Sequence, residues 1–73
     1  MTKLQAALNS LQNMVLNYRP SNSEIKYQFA GIKEMTTNKT ALASIANLEK
    51  LVIENTVSPN EINYQFNQLK ANV

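Results

Sequence analysis

Apolar side chains recur along this chain at the spacing of one helical face. Leu4, Leu8, Leu11, Val15 and Tyr18 stand at i, i+4, i+7, i+11 and i+14, a single stripe of 3.6-residue period, with Ala7 and Met14 along its edge. Gln5, Asn9, Ser10, Gln12, Asn13 and Asn17 interrupt the stripe, so the pattern predicts an amphipathic first helix from Thr2 to Tyr18. Ala41, Ile45, Leu48 and Val52, flanked by Ser44 and Leu51, predict a similar third helix. Two shorter stripes, Ile25, Phe29, Ile32 and Ile62, Phe66, Leu69, predict a second and a fourth. Four such faces must be buried together, and the expected fold is therefore an all-α, four-helix bundle.

The pattern is also a repeat. A shift of 37 residues lays the segment from Ser21 to Lys33 on the segment from Ser58 to Lys70, with seven of thirteen pairs identical. The same shift carries Ala6 onto Ala43, Leu11 onto Leu48 and Val15 onto Val52, and sets Leu8 against Ile45 and Met14 against Leu51. The chain thus reads as one domain, residues 1–73, made of two tandem helical hairpins, 1–36 and 37–73, in up-down-up-down order. Two copies fall short of the three or more that a solenoid needs, so the hairpins are expected to close on each other.

Helix starts are marked by capping chemistry. Ser58, Pro59 and Glu61 form a capping-box sequence with proline at the first helical position, and Val57 and Ile62 stand where a hydrophobic staple requires them. Ser21 and Glu24 repeat the box, with Pro20 just before it; Thr2 and Gln5 form a weaker one. One of Thr36, Thr37 or Asn38 is expected to cap the third helix.

Composition narrows the chemistry. The chain has no cysteine, histidine or aspartate, which removes the thiolate nucleophile, the usual general base and most preferred metal ligands. Glu24 and Glu61 occupy equivalent positions but are accounted for by capping. Neither interhelical turn within a hairpin carries the aspartates and glycine of a calcium loop, and Gly31 is the only glycine, so no phosphate-binding loop exists. The expectation is a protein that is not an enzyme, with no catalytic residue, cofactor, metal or small-molecule substrate. No apolar run reaches the length of a membrane span, and no leader pattern is visible, which points to a cytoplasmic protein. Eleven asparagines beside a single arginine have the look of an AT-rich coding sequence, from a low-GC bacterium or its phage.

Three surfaces are candidates for binding. Tyr27 and Tyr64 point about 200° from the core direction set by Ile25 and Ile62, and Gly31 shares the outer side with Tyr27; aromatics so placed are enriched at protein interfaces. A tyrosine resting its ring on a neighbouring helix is the structural alternative. On the third helix Leu42, Ala46 and Ile53 form a second apolar line where the first helix has Gln5, Asn9 and Leu16, which makes it either the central helix of the bundle or the bearer of a partner or dimer surface. Lys26, Lys33 and Lys70 offer a short basic flank for nucleic acid, although a net charge of +2 with dispersed lysines is a mild bias. The function expected is a small protein-binding module, an accessory or inhibitory protein of phage or mobile-element type, with nucleic-acid binding and homodimeric self-assembly as alternatives.

Overall fold

The computed structural model describes residues 2–73. Four helices account for most of them: α1 (Lys3–Tyr18), α2 (Asn22–Lys33), α3 (Lys39–Glu54) and α4 (Pro59–Ala71). The connections are short, residues 19–21, 34–38 and 55–58, and turns of this length leave neighbouring helices antiparallel. The contacts form a closed ring: α1 and α3 each touch both α2 and α4, while α2 and α4 stand at opposite corners. Gln5, near the start of α1, reaches Lys70 near the end of α4, and Gln12 reaches back to Asn63, which fixes the antiparallel register of that pair. The arrangement is an up-down-up-down bundle, and no helix among the described residues is long and apolar enough to cross a membrane.

Each helix starts where its cap allows. The side chains of Thr2, Ser21, Asn38 and Ser58 accept from the backbone amides of Gln5, Glu24, Ala41 and Glu61, satisfying one otherwise orphaned donor at each N-terminus. Only Thr2 and Gln5 complete the reciprocal box. Glu24 and Glu61 instead turn along their helices and accept from Gln28 and Gln65, each at 3.0 Å, trading the return bond for an i, i+4 pair. Helices α1 and α3 both end in a left-handed residue, Arg19 at φ 45° and Asn55 at φ 53°.

Twelve apolar side chains make the core, and they are six pairs spaced by 37 residues: Leu8/Ile45, Leu11/Leu48, Val15/Val52, Ile25/Ile62, Phe29/Phe66 and Ile32/Leu69. Phe29 and Phe66 are fully enclosed and meet at the centre with ring centroids 6.4 Å apart and planes tilted by 31°. Two residues depart from the expected pattern. Tyr18, placed in the α1 stripe by its spacing, is 77% exposed, because α1 stops there, the chain turns left-handed at Arg19, and a phenol at the last helical position keeps its hydroxyl in water. Gln12, read as part of the polar face, is only 7% exposed. It borders Leu8 and Val15 at the edge of the apolar stripe, and the packing of α4 over that edge takes it inside.

The second apolar line of α3 also finds its place. Leu42, Ala46 and Ile53 share a flank with Glu49, whose carboxylate pairs with Lys33 of α2 at 2.5 Å, so this flank is the seam between α3 and α2. Leu42 and Ile53 are half-buried along it and Ala46 is exposed. The ring has no central helix, so the line does not mark α3 as one. The matching flank of α1 carries Gln5, Asn9, Gln12 and Leu16 and meets α4, where the seam is made by amides. Gln5 donates to the Lys70 carbonyl, Lys70 Nζ donates to Asn9, and Gln12 Nε2 donates to both Asn63 and Asn67.

Candidate functional site

The aromatic residues divide cleanly. Both phenylalanines are at the centre of the core, whereas all three tyrosines are exposed: Tyr27 at 73%, Tyr64 at 54% and Tyr18 at 77%. Tyr27 occupies the outermost line of α2, and Gly31, one turn further on, faces open space, with nothing within 4 Å of the position a Cβ would take. Tyr27 and Gly31 are therefore both exposed on the outer side of α2. They do not form one patch with Tyr64, because α2 and α4 lie at opposite corners of the ring. Leu42 and Ile53 flank the seam between α2 and α3 and are only partly available.

The lysine flank is divided in the same way. Lys26 and Lys33 are on α2 and Lys70 on α4, across the bundle. Lys33 is engaged by Glu49, the single ion pair among the described residues, and Lys70 donates to Asn9 at 3.2 Å. What the structure brings together is thus three lysines on two separate seams.

The feature that sequence reasoning missed lies at one end of the bundle, where α1 and α3 finish and α2 and α4 begin. A cavity of about 240 Å³ opens there between the two turns, with Val15, Ile25, Val52 and Ile62 among the apolar groups that line it and Pro20 and Pro59 closing its sides. Arg19, Asn22 and Asn55 are the polar lining residues, and Arg19 is the one charged side chain among them. The contributors come from turns far apart in sequence; the only local signals were the two prolines. A second depression, about 380 Å³, lies at the opposite end and is lined by Leu4, Leu69 and the hydroxyls of Thr2, Thr36, Thr40 and Ser44, with no charged side chain.

The helix-capping residues singled out from the sequence, Ser21, Glu24, Ser58 and Glu61, are all at this first end and serve backbone and i, i+4 bonds. No protein-family model matches the chain, and neither a curated protein nor a solved structure matches it significantly.

Proposed function

We propose that this protein is a small non-enzymatic binding module that acts by occupying a surface of a larger protein, as an accessory or inhibitory factor. The observation that carries this reading is the partition of aromatics. Nothing in the core needs Tyr27, yet a large amphipathic ring is held outward on a rigid helix beside a glycine that leaves room for an approaching backbone. Rigid aromatic anchors of this kind supply contact area at low entropic cost. The cysteine-free composition supports a cytoplasmic setting, and the asparagine-rich, arginine-poor usage supports a phage or mobile-element source.

The test is affinity capture from a low-GC bacterial lysate with the wild type and with Tyr27→Ala and Tyr64→Ala, singly and together, after circular dichroism has established that each variant is folded. A captured protein should be lost with Tyr27→Ala. Retention of every captured protein by the folded double variant refutes the tyrosine surface. The two alternatives have separate readouts: a salt-sensitive mobility shift for nucleic acid, and concentration-dependent sedimentation for self-assembly.

A further inference from the structure

We infer that the end cavity between the two turns is a binding site for a small amphipathic monocarboxylate, its apolar body between the helix ends and its carboxylate on Arg19. This site is separate from the tyrosine surface and stands or falls independently of it.

Three observations converge. The first is size and lining: about 240 Å³, with valine, isoleucine, leucine and proline side chains on the wall beside the polar groups of Arg19, Asn22 and Asn55. An apolar cavity of about 150 Å³ holds a benzene ring, so this one suits a single ring with a short tail or an acyl chain of about six to eight carbons. The second is charge. Arg19 is the only ionisable side chain in the lining, it forms no ion pair among the described residues, and no carboxylate lines the cavity. An arginine lining a partly apolar pocket matches a carboxylate in charge and in fork geometry. The N-terminal ends of α2 and α4 meet the C-terminal ends of α1 and α3 here, so their dipole fields oppose one another and Arg19 alone supplies the charge.

The third is backbone strain. Arg19 and Asn55 close α1 and α3 in the same left-handed conformation, at φ 45° and φ 53°. Asparagine tolerates that region and glycine prefers it, whereas arginine is an uncommon occupant. The chain uses the tolerant residue at one helix end and the strained one at the other, and the strained residue is the one that puts a cation at the cavity. Strain held at a single point beside a pocket is the mark of a residue kept for what its side chain does.

The experiment follows methyl resonances of the whole protein by NMR during titration with 3-phenylpropanoate and octanoate, and with 3-phenylpropanol and octanol as uncharged controls. The Val15, Val52, Ile25 and Ile62 methyls should shift at millimolar ligand, with the carboxylates about fivefold tighter than the alcohols, as one partly exposed charge pair supplies. Arg19→Asn should remove that preference while melting no lower than the wild type, because it relieves the backbone. Ile53→Trp, which fills the cavity, should abolish the shifts, with its fold checked by circular dichroism. The inference is overturned by silent cavity methyls, by shifts at the Leu4 and Leu69 end instead, by equal affinity for acid and alcohol, or by an Arg19→Asn variant that binds the acids as well as the wild type does.

Discussion

Gln12 lets the logic of the core be tested in a direction that intuition opposes: replacing a hydrogen-bonded polar residue should stabilise the fold. Both hydrogens of its Nε2 are used, to Asn63 Oδ1 at 2.5 Å and Asn67 Oδ1 at 3.2 Å, but its Oε1 is sealed in and receives no protein donor. Gln12→Met keeps the length and volume of the side chain. It gives up two bonds whose net worth is about 0.5–1 kcal/mol each, since Asn63 and Asn67 are exposed and turn to water when released. It relieves a buried orphan acceptor, worth about 1–3 kcal/mol, and replaces an amide by apolar atoms, worth about 1 kcal/mol more. The balance favours methionine by about 1 kcal/mol, or a rise in Tm of about 4–8 °C for a domain of this size. Gln12→Ala, which loses the same bonds and leaves a void, should be less stable than the wild type by about 1–2 kcal/mol. Urea and thermal unfolding followed by circular dichroism measure both. A methionine variant less stable than the wild type, with an unchanged m-value, would show that the orphan acceptor is satisfied and that the reasoning is wrong.

Other perturbations have definite outcomes. Phe66→Ala, which removes half of the central aromatic pair, should lose about 3–5 kcal/mol and leave the chain largely unfolded at 37 °C, while Phe66→Leu should lose less than half as much; calorimetry distinguishes them. Ser58→Ala and Ser21→Ala should each lower stability by about 1 kcal/mol, and Glu61→Ala by less, because Glu61 only closes an exposed bond to Gln65; urea midpoints rank the three. Glu49→Gln should cost no more than about 1 kcal/mol, since Lys33 is 36% and Glu49 18% exposed, and the loss should shrink in 1 M salt.

The fold was legible because each stripe carried its own start signal. Thr2, Ser21 and Ser58 all cap where their sequences indicated, and the twelve enclosed residues were all on the four apolar stripes. Periodicity failed where it needed to know what lies on the far side of a helix. It could not see that α4 covers the Gln12 edge of α1, that nothing covers Tyr18, or that α2 borders the second apolar line of α3 and half-buries Leu42 and Ile53. Tyr27, Tyr64 and Gly31 were legible as outward-facing because their angle from the core is fixed by the helix itself. Their separation onto opposite corners was not, because it depends on the cyclic order of helices. The end cavity was the least visible feature, since it exists only when residues around position 20 and position 55 are brought side by side.

The unlike seams bear on what happens when two newly made copies meet. A first half that docked on the first half of another molecule would set Gln12 against Lys33, with Lys26 and Ala30 standing where Asn63 and Asn67 should be. Neither an ammonium nor a methyl can accept from the glutamine amide, and Lys33 would have no carboxylate to meet. Such an encounter could remake the Gln5 and Asn9 bonds with Lys33 in place of Lys70, but it gives up the bonds of Gln12 to Asn63 and Asn67 and the Lys33–Glu49 ion pair while hiding the same hydrophobic groups. The two halves thus place apolar side chains at matching positions but differ in a few polar ones at the rim, so closure within one chain satisfies those polar groups where closure between two first halves would leave them without partners.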